Sequence, residues 1–477
     1  MHTKAMRAHT TALVTTCFWL TTCFWLTACG SPQGGSLDSA GSASAEPPAL
    51  TLVRSTPRKP GERSPAAELG KQLFFDKNLS ASGDMSCATC HDPDHAYGPP
   101  NGLAVQLGGP KRDRQGTRAV PSLRYKESTP AYADLLDNPD GISAPGPGGG
   151  FTWDGRANTL AEQARLPLLS PLEMANEDAA SILAKVLASS YASLFRRVCA
   201  ERAESNPNAS AKYDPEAALG TVTAALQAFQ LEDPSFHPYT SKFDLFAGNK
   251  LGGTFTPAEL RGAKVFSDPK RGNCASCHFD GPGLGGSSGL YTDFSYEAIG
   301  VPRNREIADN TDDEYYDLGL CGPARGDHAP LRGVPNAFCG MFKAPTLRNL
   351  NKRATFFHNG ALHSIEQVIR FYNTRDTRPE LWYPTRGGIA KSPADPDFPS
   401  YGLITTQYIG GKVDKYDDVP WQFMANIDPQ MPLDGRKAGS APPLTEQNMA
   451  DLICFLGTLN DDYTPPATPP ILGPCVN

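Results

Sequence analysis

Met85-Ser86-Cys87-Ala88-Thr89-Cys90-His91 carries the pattern Cys-x-x-Cys-His, and the pattern returns at Cys274-Ala275-Ser276-Cys277-His278. This is the attachment signature of covalent c-type haem. Two thiols add across the haem vinyl groups, and the histidine that follows reaches the iron. A zinc ribbon or a redox dithiol would read the same over these few residues. Zinc needs a second paired ligand set nearby, and neither stretch has one. Two haem c groups are therefore expected, one on Cys87, Cys90 and His91 and one on Cys274, Cys277 and His278.

The flanks of the two stretches also match. Glu68-Leu69-Gly70-Lys71-Gln72-Leu73-Phe74 precedes the first, and Glu259-Leu260-Arg261-Gly262-Ala263-Lys264-Val265-Phe266 precedes the second. Each reads as a short helix. Thr256-Pro257-Ala258-Glu259 supplies a capping box with proline at the first helical position, and Ser64-Pro65 starts the first helix similarly. Pro121-Ser122-Leu123-Arg124 follows one haem site and Pro345-Thr346-Leu347-Arg348 the other. The fold expected is mainly α: two cytochrome c-like helical haem domains in tandem, 51–245 and 246–465, with a tail at 466–477. Further helices are expected over 160–166, 178–199, 215–230, 365–373 and 446–459. Long irregular loops (141–150, 281–335 and 374–443) lie between, with no convincing sheet beyond a few short strand pairs.

The chain has 477 residues and a formal charge of −7, which argues against nucleic acid and leaves room for a basic redox partner. Lys4 and Arg7 precede an apolar run over 12–26 that ends Leu26-Thr27-Ala28-Cys29-Gly30. This reads as a secretory signal, 1–28, and resembles a lipobox whose cleavage leaves a lipidated Cys29. The run is short and threonine-rich for a spanning helix. The expectation is a tether over 29–50, a lipid anchor as the sole membrane contact, and a periplasm-facing protein. Of twelve cysteines, three lie in the signal region and four in the haem motifs. Cys199, Cys321, Cys339, Cys454 and Cys475 remain, and Cys321–Cys339 and Cys454–Cys475 are plausible bridges among several pairings.

Phe151-Thr152-Trp153-Asp154-Gly155-Arg156 leads into Thr159-Leu160-Ala161-Glu162, read as another capping box, and then Gln163 and Glu173. Cleaving the O–O bond of a peroxide requires a proton to move between its oxygens, and a carboxylate can carry it. Glu173 is a candidate for that role, against the plainer reading of a solvated loop carboxylate. Ser364-Ile365-Glu366-Gln367 opens a helix on which Ile365, Val368, Ile369 and Tyr372 share one face. On that pattern alone Tyr372 is a core tyrosine with a satisfied hydroxyl.

Together the two haem motifs, Trp153-Asp154-Gly155-Arg156, the 163–173 segment and Phe342-Lys343-Ala344-Pro345-Thr346-Leu347-Arg348-Asn349 resemble the bacterial di-haem cytochrome c peroxidase/MauG family. The likeness spans about Leu69 to Leu459. It implies a peroxide site at the first haem and an electron-transfer role for the second. It also implies a tryptophan between them at Trp153, a distal glutamate at Glu173 and the distal glutamine of the MauG branch at Gln163. Tyr372 falls where peroxidases carry an axial methionine and the MauG branch a tyrosine, with Met341, Met424 and Met431 as rivals. His358 matches a histidine near the second haem. The family also binds calcium between its haems, but here Tyr125 stands where asparagine is usual, with Arg353 and Thr355 in the second half. Many members block the first iron with a removable histidine. The only histidine between His91 and His237 is His95, too close to His91 to serve, so an open first haem is expected.

The activity expected is reduction of hydrogen peroxide with electrons from a small cytochrome c or cupredoxin. The alternatives are MauG-like oxidation of a protein substrate and a non-enzymatic di-haem electron carrier.

Overall fold

Two helix crossings organise the protein, one on each side of residue 246. The computed structural model describes residues 62–141, 143–205, 214–283, 287–326, 337–384, 413–433, 435–467 and 473–476. The predicted signal, Cys29 and the tether lie outside these residues. Among them are helices α1 (Pro65–Phe75), α2 (Cys87–Cys90), α3 (Leu160–Leu169), α4 (Ala179–Ala188), α5 (Ala192–Ser205), α6 (Pro215–Glu232), α7 (Lys242–Ala247), α8 (Pro257–Ser267), α9 (Ile365–Thr374) and α10 (Glu446–Gly457). No described helix is long and apolar enough to cross a membrane.

Helix α1 starts where Ser64 Oγ accepts from Ala67 N at 2.9 Å, with Pro65 pre-set for the first turn. It packs against α6. Helix α8 starts in the predicted Thr256–Glu259 capping box and packs against α10. Both crossings are set by a glycine. A Cβ on Gly70 would lie 1.9 Å from the Ala225 carbonyl oxygen, and one on Gly262 would lie 2.0 Å from that of Asp451. Backbone cannot yield as a side chain can, so only glycine allows these approaches. Around the first crossing Leu69, Leu73, Phe74, Leu226, Phe229 and Phe236 form one apolar core. Val265, Phe266, Tyr291, Leu452 and Phe455 belong to a second.

The 178–199 helix of the sequence reading is two helices. The chain breaks between α4 and α5 because Ser189 Oγ donates to the Val186 carbonyl at 2.7 Å and Tyr191 turns its ring into the first core. The Tyr191 hydroxyl then donates to Asp76 Oδ2 at 2.6 Å. Helix α7 was legible as a Ser241–Asp244 capping box but not anticipated. Among the described residues sheet is limited to three antiparallel pairs: β1 (Leu107–Gly108) with β2 (Arg114–Gln115), β3 (Ala133–Leu136) with β4 (Gly146–Gly148), and β5 (Tyr296–Glu297) with β6 (Phe342–Lys343). Both anticipated disulfides form, Cys321–Cys339 and Cys454–Cys475. Cys199 and the four motif cysteines remain free.

Candidate functional site

The two Cys-x-x-Cys-His stretches each line a cavity. In α2, Cys87 and Cys90 sit one turn apart, so both sulfurs face the same way. Burial pushes the Cys87 thiol up to about 12 and Cys90 to about 11. Cys274 rises to about 12 for the same reason. Such surroundings favour uncharged sulfur, as in a thioether, over the thiolates that zinc or redox exchange requires. Among the described residues no group of three or more His, Cys, Asp or Glu side chains could hold a bare metal ion.

The proximal histidines are set identically. His91 Nδ1 donates to the Tyr97 carbonyl at 3.0 Å, and His278 Nδ1 donates to the Tyr291 carbonyl at 3.1 Å. That bond fixes the tautomer and leaves Nε2 as the free lone pair. Burial holds both rings neutral, down to about 4. Thiols, ring tautomer and apolar walls thus fit a covalent haem in each cavity.

Gln163 and Glu173 line the first cavity with Cys87, Cys90 and His91. Gln163 projects from α3, whose N-cap Thr159 accepts from Glu162 N at 3.1 Å. The expected box is shifted by one residue: Glu162 accepts from Asn158 N rather than from Thr159. The same shift occurs at Ser364, where Gln367 accepts from His363 N. Glu173 sits on the loop after α3 and is reached through the cavity. Its side chain stays solvent-accessible, as the plainer reading expects, while desolvation by the protein around it shifts the carboxyl upward from its ordinary value, with the Ser170 hydroxyl and Arg156 acting the other way. The loop is pinned from both sides. Gly109 N donates to the Glu173 carbonyl at 2.7 Å, and Met174 N donates to that of Pro167 at 3.0 Å. A Cβ on Gly108 would lie 2.2 Å from the Leu172 carbonyl. Sequence reasoning missed Gly108 and Gly109, and a Leu-Gly-Gly run between haem motif and loop was the available signal. His95 makes the local contact expected of it, through Nδ1 to Asp92 Oδ2 at 2.9 Å.

One extended segment separates the cavities. Gly116, Arg118 and Val120 line the first, and Pro121 and Ser122 line the second. Trp153 lines the second, and its Nε1 donates to the Ala119 carbonyl at 2.8 Å, within the partition. Ala119 N donates in turn to the His358 carbonyl at 2.7 Å. Arg118 clamps the partition through Asp317, with Nε at 2.6 Å and Nη2 at 2.7 Å, and pairs with buried Asp154 at 2.8 Å. These ion pairs join residues far apart in sequence and were not foreseen.

The second cavity is lined by Cys274, Cys277, His278, His358 and the stripe Ile365, Val368, Ile369 and Tyr372. The Tyr372 ring contacts Phe357, but its hydroxyl makes no hydrogen bond to a described residue. It is therefore not the satisfied core tyrosine of the plain reading. Burial pushes its phenol upward, so a nearby cation would be needed to hold a phenolate. Of the rival methionines, Met431 lines this cavity. His358 stacks on Phe342 with centroids 3.5 Å apart, and its Nε2 is buried without a partner.

The region where calcium was considered does not fit that ion. The Tyr125 hydroxyl donates to Asp461 Oδ1 at 2.6 Å, and the Arg353 guanidinium takes the Thr355 carbonyl at 3.3 Å. Calcium needs six to eight oxygen ligands, and here a cation already holds one of the carbonyls.

A family model described as di-haem cytochrome c peroxidase matches residues 64–251. The methylamine utilization protein MauG of Paracoccus denitrificans is 33% identical over 325 residues, covering 65% of this chain and 75% of that protein. The cytochrome c551 peroxidase of Nitrosomonas europaea is 30% identical over 341 residues, covering 70% and 80%. The crystal structure of the diheme peroxidase BthA from Burkholderia thailandensis superposes with a TM-score of 0.68 at 33% identity, covering 84% of this chain and 87% of that one.

Proposed function

The chain belongs to the di-haem cytochrome c peroxidase/MauG family of oxidoreductases, and from that premise we propose that it reduces hydrogen peroxide at the His91 site with electrons relayed through the His278 site. The observation that carries this reading is the convergence of Gln163 and Glu173 on the cavity that holds Cys87, Cys90 and His91. Haem c bound there supplies the iron that takes up peroxide and the electrons that reduce it.

Reduction of one peroxide to two waters consumes two electrons and two protons, and the polypeptide handles the protons. Glu173, whose carboxyl is shifted upward by the protein around it, takes up a proton and passes it to the oxygen that departs as water. Gln163 has no side-chain partner among the described residues, so its carboxamide is available to orient the peroxide. Trp153, fixed through Ala119, stands at the partition the electrons must cross. Tyr372 and His278 are the side chains that would ligate the iron of a haem bound in the second cavity, and His358 lines the same cavity. The donor is a small cytochrome or cupredoxin.

The unsatisfied Tyr372 hydroxyl supports a second reading, MauG-like oxidation of a protein side chain, because an anionic phenolate favours oxidised iron. Peroxide consumption by the native protein separates both readings from a plain electron carrier; its collapse in Glu173→Gln is expected in either enzyme, and unchanged consumption would remove Glu173 from the mechanism. Two disulfides accord with an oxidising compartment. With the apolar run ending at Cys29 they support a periplasm-facing protein anchored by lipid, its two haem units being 51–245 and 246–465.

A further inference from the structure

Three basic side chains line the second cavity with no carboxylate in ion-pair contact among the described residues; Glu127 acts on Lys126 and Asp154 on Lys343 only at longer range. Lys126 makes no side-chain hydrogen bond or ion pair with a described residue. Among the described residues Lys343 Nζ donates only to the Gly150 carbonyl, and it lies 5.9 Å from the Phe151 ring centroid. Arg353 donates through Nε to the Thr355 carbonyl, while its Nη2 is buried with no partner. His358 Nε2, in the same cavity, is likewise unpartnered. The three side chains are partly buried, and gathering cations away from water without ion-pair partners is costly, which leaves the cluster suited to anions from outside the polypeptide.

The position of the cluster identifies them. Arg353 reaches the first unit, since a Cβ on Gly98 would lie 4.0 Å from its Nη1. Gly98 sits in the bridge that Asp92, next to His91, makes across the haem loop. Lys126 follows directly on the partition segment, whose Pro121 and Ser122 share the second cavity with Lys343 and Arg353. The cations thus lie between two haem cavities, and each haem brings two carboxylates on its propionate arms. Resting on the di-haem reading above, we propose that Lys126, Lys343 and Arg353 form a cationic cradle that ion-pairs with haem propionates between the two haems, and that this cradle stands in place of a calcium ion. Calcium would have to sit against two fixed positive side chains and displace Arg353 from the Thr355 carbonyl.

The test uses the full chain carrying both haems, counted first by pyridine haemochrome. Reductive titrations are followed optically for the native protein, Lys126→Gln, Arg353→Gln and Arg353→Lys, each with added calcium and with EGTA. A cation beside the propionates favours the ferrous state, so each glutamine variant is expected to move the ferric/ferrous equilibrium of the second haem towards ferric by about tenfold, 59 mV for a one-electron couple. Arg353→Lys is expected to stay close to native, which a merely structural role for the arginine would not predict. Calcium and EGTA are expected to change nothing, and the purified protein to hold no stoichiometric calcium. Glutamine variants with native potentials would overturn the proposal, as would bound calcium whose removal shifts a potential. If the glutamine variants fail to mature, the calcium arms on the native protein decide. Peroxide turnover is not part of the readout. Loss of the peroxidase reading would leave these shifts standing, and absent shifts in an active peroxidase would remove the cradle alone. Fewer than two haems would overturn both.

Discussion

The two haem units share a frame and differ in what closes over it. In each, a capped helix crosses a later helix at a glycine, Gly70 against Ala225 and Gly262 against Asp451. In each, the motif histidine donates Nδ1 to a tyrosine carbonyl. In each, a hydroxyl after the haem site ties back to the haem loop, Ser122 to the Ala96 carbonyl and Thr346 to that of Leu290, both at 2.6 Å. Elsewhere in the cavity linings the likeness ends. The first cavity receives Gln163 and Glu173 from a helix end and a pinned loop. The second receives Tyr372 from the apolar face of α9. On the proposed reading, the duplicated frame holds the cofactor, and the covering element decides whether its open side meets a substrate or a ligand.

The strongest way to break this comparison is Glu173→Gln. It is expected to lower kcat/KM for peroxide by roughly 10²–10⁴-fold, the range for a lost acid–base group, with haem content and the optical spectrum of the second haem unchanged. Steady-state assays with a reduced cytochrome donor check this. Next is Tyr372→Met. Axial ligands spread haem potentials over about 0.8 V, so exchanging a phenolate for a thioether is expected to raise the second haem by on the order of 100 mV, leaving the first haem in place. An unaltered potential would exclude Tyr372 as ligand and turn attention to Met431.

The shared frame makes a symmetric prediction. Gly70→Ala and Gly262→Ala each force a methyl against a backbone carbonyl, and each is expected to cost roughly 1–3 kcal/mol, the range for overpacking, read as a lowered Tm. A large disparity between them would deny that the crossings are equivalent. The smallest effect concerns pH. Partly buried Asp417 is raised to about 7 by desolvation, with Asp414 adding repulsion. Its folded value lies above its unfolded one, so the folded state keeps a proton that the unfolded state loses. That contribution is fully present below about pH 4 and is lost as pH rises through about 7. Asp417→Asn keeps an acceptor for Arg303 N (3.0 Å in the native chain) and is expected to flatten the fall in Tm between pH 4 and 7.

Much of this was legible in the sequence because it is local. The haem motifs, the Thr256–Glu259 capping box, the α9 stripe and both disulfides depend on residues within a few tens of positions. The 163–173 segment could be placed over the first haem by family resemblance, and its residues do line that cavity. What could not be read depends on long-range meetings. The Tyr191–Asp76 bond accompanies the break in an apparently continuous helix. Arg118 finds Asp317 across 199 residues. Lys126 and Arg353 come from opposite halves, and neither has a neighbour in sequence that announces a shared cavity.

The most direct test of the central claim, that the first haem lies open beneath Glu173 and Gln163, is a rapid-mixing optical spectrum. The fully ferric protein as isolated is mixed with one equivalent of hydrogen peroxide. A fast Soret change without prior reduction is the predicted result. No change until the protein is half-reduced would contradict it, because a protein ligand would then have to occupy the first iron in the resting state.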